Sequence, residues 1–457
     1  MFDPLPRPAT NAFVPIALLR KFSASSAGAR GGNQTRYPMR PWIHAFSLSL
    51  LILPGCAVQS EKGEVRQPVI AQDSVRSPAY RRSVESLLGR SLLPGNRITP
   101  LLNGAQIFPA MLAAIRGARH TINFETYVYW SGEIGHQFAS ALAERARAGV
   151  QVRAILDWQG TLRMSGADTS LLRSAGVQLV SYHPLQWWDV RRVNNRTHRK
   201  LLIVDGKLGF IGGVGIADQW QGAARTPDEW RDTHYRVEGP VVAQLQACFM
   251  DNWMKARGEV LHGDLFFPRL SPAGPTLAQA ITSSPGVGNQ SMRLMFLLSI
   301  AGARQTIQIE SPYFVPDRLL VQELVEACAR GVRVDVIVPG GKIDSKVARA
   351  TSRSGWEPLL GAGVKFYEFE PTMIHAKLMI IDGEWVSIGS SNFDNRSMRL
   401  NDEANLNVLD RNFAAGQAAI FQRDRARAKP VNLREWQNRP LTEKISAPFW
   451  EVFRSET

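Results

Sequence analysis

Cysteine is scarce in this sequence, and no long apolar segment interrupts its main part. Three cysteines, Cys56, Cys248 and Cys328, are too few for a disulfide framework, and none belongs to a CxxC pair that could bind zinc. The eight histidines are scattered and form no HExxH motif, so the sequence predicts neither a metal site nor another cofactor. After residue 60, no apolar run approaches the ~20 residues of a membrane-spanning helix. These absences exclude a disulfide-stapled domain, an HExxH zinc enzyme and a multi-span membrane protein.

Acidic residues are also in deficit. The 457-residue chain has 54 Lys+Arg against 40 Asp+Glu, which gives a net charge of +14. Its hydrophobic content of 44% is enough to fill a folded core, so a disordered basic protein is excluded. The excess of positive charge favours partners that carry phosphate, which means nucleic acid or anionic lipid.

The N-terminal segment has the order of a bacterial lipoprotein signal. Arg40 precedes an apolar run over 42–53, and the letters LPGC then end at Cys56. This order is typical of a secretory signal, and its end resembles a lipobox, in which Cys56 is lipidated. We therefore expect residues 1–56 to be an extension with a signal. The protein would be anchored in the bacterial envelope, facing the periplasm or the exterior, in either the inner or the outer membrane. A buried apolar segment with an incidental cysteine and an organelle transit peptide are the alternatives.

The sequence repeats itself. GARHTINFETYVY at 117–129 matches GARQTIQIESPYF at 302–314, and THRKLLIVDG at 197–206 matches IHAKLMIIDG at 374–383. Strand patterns alternate with helix patterns in each copy, which predicts an α/β sandwich in each. The predicted organisation is a linker at 57–97, domain 1 at 98–270, a linker at 271–291, domain 2 at 292–437 and a tail at 438–457.

Each copy carries the same three polar residues at the same spacing, HxKxxxxD. They are His198, Lys200 and Asp205 in the first copy, and His375, Lys377 and Asp382 in the second. Because residues i and i+2 of a strand point to the same face, His and Lys project together. A glycine turn follows, and then small residues that suit an oxyanion. One such strand alone is an ordinary surface strand, but two at identical spacing predict one site shared between the copies.

The paired motifs resemble those of the phospholipase D superfamily. The flanks WRDTHYRVEGPVV at 230–242, SPYFVPD at 311–317 and the long run at 375–406 are most similar to bacterial cardiolipin synthases. The resemblance covers about 98–437. It implies an α/β fold of two fused phospholipase D-like sandwich domains, with one active site between them and without a metal or cofactor.

The resemblance also implies a substrate class. We expect a phosphatidyltransferase that moves a phosphatidyl group from an anionic phospholipid, phosphatidylglycerol above all, to an alcohol or phospholipid acceptor at a membrane surface. One histidine would form a phosphohistidine while the other protonates the leaving alcohol. His198 is expected as the nucleophile and His375 as the acid and then base, although the sequence does not separate them. Lys200 and Lys377 would neutralise the phosphate oxygens.

Four carboxylates and one amide accompany these groups. By family position, Asp232 and Glu403 are the candidates that orient the imidazoles. A structural part in the turn after each strand is favoured for the motif residues Asp205 and Asp382. Asn392, three residues after the glycine that closes the second motif, is a candidate phosphate-facing amide.

The first copy departs from the family pattern, because Gly215 stands where the second copy has Asn392. The two sides of the phosphate pocket need not be equal, yet both His–Lys pairs are intact, so an active enzyme is expected.

Three other functions are open. A phospholipase D-type hydrolase would use the same motifs and release phosphatidic acid. A nucleic acid phosphodiesterase fits the basic charge. It does not fit the lipobox or the near absence of aromatic-plus-basic stretches, so nucleic acid is disfavoured as a partner. A non-catalytic membrane-associated protein has only Gly215 in its support.

Overall fold

A computed structural model describes residues 65–70, 72–184, 195–285 and 290–439. The predicted signal with Cys56, and all but the first two residues of the predicted tail at 438–457, lie outside the described residues and stay predictions. The helices are α1 Pro78–Leu88, α2 Asn103–Gly117, α3 Glu133–Arg147, α4 Gly166–Ser174, α5 Val242–Arg257, α6 Ser291–Gly302, α7 Arg318–Ala329, α8 Lys346–Ser354, α9 Glu357–Gly361, α10 Asn395–Arg399, α11 Arg411–Arg425 and α12 Leu433–Gln437, with a 3₁₀ turn at Asp218–Trp220.

Strands separate most of these helices. They are β1 Leu93–Leu102, β2 Thr121–Thr126, β3 Gln151–Asp157, β4 Gln178–Tyr182, β5 Arg196–Thr197, β6 Leu201–Val204, β7 Leu208–Gly212, β8 Thr233–Glu238, β9 Thr276–Ser283, β10 Thr306–Glu310, β11 Phe314–Val315, β12 Arg333–Pro339, β13 Lys365–Phe369, β14 Leu378–Ile381, β15 Trp385–Gly389, β16 Phe393–Asp394, β17 Asn401–Leu409 and β18 Ala428–Pro430.

Sixteen of these strands form one sheet with the same order on both sides of its centre. From the central β9–β1 pair, one side runs β1-β8-β7-β6-β2-β3-β4 and the other runs β9-β17-β15-β14-β10-β12-β13-β18, while the short strand β5 lies off this path and pairs with β17. On each side the three strands β2, β3 and β4, or β10, β12 and β13, are parallel. We call residues 93–257 the first half and 276–425 the second half. This architecture agrees with the predicted α/β class.

Three apolar clusters hold the helices on the sheet. The first half buries Phe108 of α2 and Phe138 of α3 in one cluster, and the second half buries Leu297 of α6 in another. A third cluster contains Phe249 of α5 and Phe421 of α11 together with strand residues of both halves. Burying each such side chain contributes about 1.5–3 kcal/mol. The third cluster therefore joins the halves into one body.

The two predicted linkers are wrong where they contain parts of this body. In the range 57–97, α1 packs Tyr80 and Val84 into the cluster of the second half. In the range 271–291, β9 pairs with both β1 and β17 at the centre of the sheet. Composition could not reveal this, because the partners of β9 lie more than a hundred residues away along the chain. The other domain boundaries stay predictions.

Candidate active site

His198 is held against a strand of the other half. Strand β5 pairs in parallel with β17, and the backbone N–H of His198 donates to the carbonyl of Asp402 at 2.8 Å. The next residue of β17 is Glu403. Its two carboxylate oxygens lie 2.8 and 3.0 Å from Nδ1 of His198. Backbone pairing thus sets this imidazole beside a carboxylate 205 positions away in the sequence.

His375 has the reciprocal arrangement. Ile374 forms a parallel bridge with Arg231, and the N–H of His375 donates to the carbonyl of Arg231 at 2.7 Å. The next residue is Asp232, whose Oδ2 lies 2.8 Å from Nδ1 of His375. Each histidine therefore donates from Nδ1 to a carboxylate of the opposite half, which fixes the tautomer and orients Nε2 away from that carboxylate. The two orienting carboxylates are those that the resemblance implies.

Each motif lysine lies beside the histidine of its own motif, as the two-residue spacing predicts. Nζ of Lys200 donates to the carbonyl of His198 at 2.6 Å, and Nζ of Lys377 donates to the carbonyl of His375 at 2.7 Å. Nζ of Lys377 also lies 2.9 Å from Nδ1 and 3.0 Å from Nε2 of His375. Burial lowers the pKa of Lys200 to about 7 and that of Lys377 to about 8. Each lysine ammonium group therefore loses its proton readily near neutral pH, until a bound anion stabilises the protonated form.

Burial and the lysines keep the two imidazoles neutral. Burial lowers the pKa of each histidine to about 4; Lys200 adds to this at His198 and Lys377 at His375, while the carboxylates oppose it. Burial alone would raise the pKa of Glu403, but His198 and Lys200 lower it to about 2. The site thus contains ionised carboxylates and neutral imidazoles. An incoming phosphodiester anion favours protonation of an imidazole, because an adjacent negative charge raises its pKa.

The motif aspartates Asp205 and Asp382 lie elsewhere. Oxygens of Asp205 accept from the three N–H groups of residues 119–121 at 2.7–3.3 Å, and those of Asp382 accept from 304–306 at 2.7–2.9 Å. Both aspartates have a φ of 52° and precede a glycine with positive φ, as a type I′ turn requires. The hydrogen bonds of the two motif aspartates therefore lie in the turns and not at the imidazoles, which fits the structural part favoured for them over a catalytic one.

Polar residues after the second motif donate hydrogen bonds to the Glu403 carboxylate rather than forming an open oxyanion site. The hydroxyl of Ser390 donates to Oε2 of Glu403, and the amide of Asn401 donates to Oε1 at 3.3 Å. Asn392 is buried nearby, and its Oδ1 accepts no hydrogen bond from the described residues. The sequence analysis missed Ser390 and Asn401 in this role, because the paired motifs do not name them.

Aromatic rings enclose both histidines. The Tyr127 ring lies 5.5 Å from that of His198. The rings of Trp220 and Trp230 lie 5.4 and 5.5 Å from that of His375. The sequence analysis singled out none of these three residues. The side chains of His198 and His375 are only 10% and 8% exposed, and this burial strengthens the electrostatic interactions around them.

Metal clusters and membrane-spanning helices are absent from the described ranges. There, no group of three or more His, Cys, Asp and Glu side chains could hold a metal ion. Across the same residues, no helix combines the length and apolarity needed to cross a bilayer.

Known proteins are similar to most of this chain. A family model described as "Cardiolipin synthase, PLD-like domain" matches residues 111–222 and 297–425, which include both HxK motifs. Cardiolipin synthase A of Pseudomonas entomophila (strain L48) is 34% identical over 368 residues, covering 80% of this chain and 76% of the relative. Cardiolipin synthase of Geobacillus kaustophilus (strain HTA426) is 34% identical over 349 residues, covering 76% and 69%.

The fold also matches a solved structure. Phosphatidylserine synthase of Haemophilus influenzae Rd KW20 superposes with a TM-score of 0.62 at 15% identity, covering 82% of this chain and 99% of that chain. This likeness concerns the fold alone, and it confirms the predicted α/β class. The family model, the curated relatives and the reciprocal histidine–carboxylate pairs agree, and the chain belongs to the cardiolipin synthase family of proteins with phospholipase D-like domains.

Proposed function

We propose that this protein is a phosphatidyltransferase that makes cardiolipin from two molecules of phosphatidylglycerol. The observation that carries the proposal is the exchange of carboxylates between the halves. His198 binds Glu403 and His375 binds Asp232, so the two imidazoles are oriented by reciprocal contacts and buried lysines accompany both. Two oriented imidazoles with neighbouring cations are what a double displacement at one phosphodiester needs.

In the first step, Nε2 of His198 attacks the phosphorus of the donor. The bond between phosphorus and the departing glycerol oxygen breaks, and protonated His375 gives its proton to that oxygen. The products are glycerol and a phosphatidyl group bound to His198 through a P–N bond. Lys200 and Lys377 neutralise the non-bridging oxygens as charge develops on them.

In the second step, neutral His375 takes the proton of a hydroxyl on the acceptor phosphatidylglycerol. The acceptor oxygen attacks phosphorus, the P–N bond breaks, and His198 returns to its neutral form. Cardiolipin leaves, and His375 is again protonated for the next cycle.

One contact favours the reverse assignment of the two histidines. Nζ of Lys377 lies 2.9 and 3.0 Å from the two ring nitrogens of His375, which opposes protonation of that imidazole, whereas Nζ of Lys200 donates to the backbone carbonyl of His198. Denaturing the enzyme in alkali during turnover preserves a phosphohistidine, and peptide mass spectrometry then locates the added group. A group on the peptide of His198 supports the stated order, and a group on the peptide of His375 reverses it.

The decisive experiment follows labelled phosphatidylglycerol in mixed micelles with purified enzyme. We expect cardiolipin and glycerol from the wild type and no product from His198→Ala or His375→Ala. His262→Ala, which changes an exposed histidine, is the matched control and should behave as the wild type. Phosphatidic acid as the main product would establish the hydrolase instead, and an active His198→Ala variant would contradict the proposal.

We also propose that the protein works as a lipoprotein in the bacterial envelope, facing the periplasm or the exterior. The support is the segment that ends at Cys56, which lies outside the described residues. In cells fed labelled palmitate, the wild type and the Cys328→Ser control should become labelled, whereas Cys56→Ser should not. The Cys56→Ser variant should also be lost from the membrane fraction. An unlabelled wild type would refute this anchor without touching the proposed reaction.

A further inference from the structure

The segments 212–220 and 389–397, which follow the two motifs, occupy matching places in the two halves. Ile216 bridges Tyr129 in parallel, and β16 pairs in parallel with β11 in the same way. Tyr129 and Phe314, the first residue of β11, are themselves matching residues of the internal repeat. Both segments continue into a turn of helix. The two segments can therefore be compared residue by residue without a gap.

At two matching positions of these segments, one half has a large side chain where the other half has a small one. The second half has Asn392 and Ser397, and the Ser397 hydroxyl accepts from the Asn392 N–H at 3.1 Å. The matching residues of the first half are Gly215 and Trp220. A Cβ atom on Gly215 would lie 2.8 Å from Cβ of Val128 and 3.2 Å from two ring carbons of Trp220. Val128 and the indole thus together occupy the space in which an asparagine side chain would stand.

The indole also reaches the carboxylate that orients His375. Nε1 of Trp220 donates to Oδ2 of Asp232 at 3.0 Å, and the same oxygen accepts from Nδ1 of His375 at 2.8 Å. The two rings meet edge to face, at 77° with centroids 5.4 Å apart. Trp220 is 2% exposed, so this hydrogen bond does not compete with solvent.

A different residue supplies the matching donor in the second half. There the hydroxyl of Ser390 donates to Glu403. The residue that matches Ser390 is Gly213, where a Cβ atom would lie 2.4 Å from Oδ1 of Asp232. A serine has no room at that position, so its donor has to come from elsewhere in the fold.

We propose that Trp220 is a positioning residue that does in the first half what Ser390 and Asn392 do together in the second. Its N–H holds Asp232, its ring fills the space left by the missing amide, and through Asp232 it orients the imidazole of His375. The consequence for turnover rests on the proposed phosphatidyl transfer, whereas the consequence for the imidazole does not. Gly215 is then a requirement of this arrangement and not a sign of lost activity.

The backbone of Trp220 is fixed independently of the indole. Asp218, in the same 3₁₀ turn, accepts from two N–H groups at the start of α3 at 2.9 and 3.0 Å. The carbonyl of Trp220 would lie only 1.9 Å from a Cβ atom on Gly104, so α2 approaches the turn closely. These contacts position the indole before any substrate binds.

The hydrogen bond from Trp220 to Asp232 should change the pKa of His375 in a definite direction. A donor to Asp232 draws charge from that carboxylate, which weakens its support for a protonated imidazole. The other groups that act on His375 are Lys377 and Lys200, which lower its pKa, and Asp232, which raises it. Removing the indole N–H should therefore raise the pKa of His375.

The test uses Trp220→Phe, which keeps an aromatic ring and removes the donor. Trp253→Phe is the matched control, because its indole is also buried and donates to Glu259 at 3.0 Å, away from the histidines. We expect Trp220→Phe to lower kcat about tenfold or more, with little change in KM. NMR titration of isotope-labelled histidine should show a higher pKa for His375 in Trp220→Phe. Trp253→Phe should change only thermal stability.

A second pair of substitutions tests the exchange itself. Gly215→Asn should clash with the indole and press on Val128, and Trp220→Ser should leave a void and an unsupported carboxylate, so each alone should lose activity. The double variant installs the pair found in the second half and should be more active than the product of the two single effects predicts.

The outcomes separate this inference from the proposed reaction. If the wild type makes no cardiolipin, the proposed function fails, while the NMR titration still tests Trp220. If Trp220→Phe matches the wild type in both kcat and the pKa of His375, the inference is overturned. A lower kcat with an unmoved pKa and effects that multiply in the double variant would reduce Trp220 to a packing residue, which also overturns it.

Discussion

Replacing Glu403 with glutamine would remove one negative charge and keep the shape of the side chain. In the structure this carboxylate is fully buried and lies 2.8 and 3.0 Å from Nδ1 of His198. A glutamine can present its N–H₂ to Nδ1, which would favour the tautomer with the proton on Nε2. The imidazole would then lack a lone pair towards phosphorus, and its protonated form would lack a counter-charge.

The magnitude follows from these contacts. A hydrogen bond to a charged group is worth about 1.5–3 kcal/mol, and opposite unit charges about 4 Å apart attract by about 4 kcal/mol at an effective dielectric constant of 20. The two contributions overlap, so we expect a loss of about 4–5 kcal/mol of transition-state stabilisation. That corresponds to a decrease in kcat of about 10³–10⁴-fold.

The assay is single-turnover transfer from labelled phosphatidylglycerol at saturating enzyme, which isolates chemistry from product release. Glu323→Gln is the matched control, since it also neutralises a buried carboxylate, one that accepts from the N–H of Val69 outside the site. It should change thermal stability and leave the single-turnover rate near that of the wild type. A rate for Glu403→Gln within tenfold of the wild type would refute the reasoning that this carboxylate orients and charges the imidazole.

Three further predictions concern the pH dependence of activity, the turn at Asp205, and the ion pair between Arg231 of the first half and Asp424 of the second half. Because the pKa values of Lys200 and Lys377 are about 7 and 8, kcat/KM should fall more steeply as pH rises through 7–8. Lys200→Arg, which stays protonated at the position with the lower pKa, should extend activity to higher pH, and an unmoved limb contradicts this. Asp205→Ala should lower the free energy of unfolding, measured by chemical denaturation, by about 2–4 kcal/mol. It should change the kcat of the folded enzyme only severalfold. A loss of kcat as large as that of His198→Ala would show a catalytic role instead. Arg231→Met leaves Asp424 buried without its ion pair and should lower the free energy of unfolding by about 3–5 kcal/mol. The double variant Arg231→Met with Asp424→Leu should recover most of this stability. Equal stability of the single and double variants would argue against the ion pair.

The parts of the site that the sequence could reveal are those that repeat. Two HxKxxxxD motifs at equal spacing identify the histidines and lysines without a structure, because the two-residue period of a strand already puts His and Lys on one face. The type I′ turn at Asp382 was open to the same reasoning, since Asp-Gly after an apolar strand is typical of it. Ser390 and Trp220 escaped notice because each acts on a carboxylate that only folding brings near.

The central strand β9 shows where sequence reasoning stops. Its segment is bordered by proline, glycine and serine, and by composition it resembles a linker. In the fold it pairs along its length with β17, whose residues lie far ahead in the chain. Pairing between distant strands leaves no local pattern, so composition alone gave the wrong answer for 276–283.

The sequence by itself determined the chemistry: two copies of one motif, an α/β class, and the residue types needed for transfer at a phosphodiester. Only the tertiary structure decided which carboxylate serves which histidine. His198 takes Glu403 and His375 takes Asp232 because the extended segments before the histidines pair with strands of the opposite half. The difference between the two sides was also decided there, since Gly215 has a meaning only once the indole of Trp220 is seen to fill its place. Spacing along a chain fixes which side chains share a face, but contacts between distant segments depend on packing of the whole molecule.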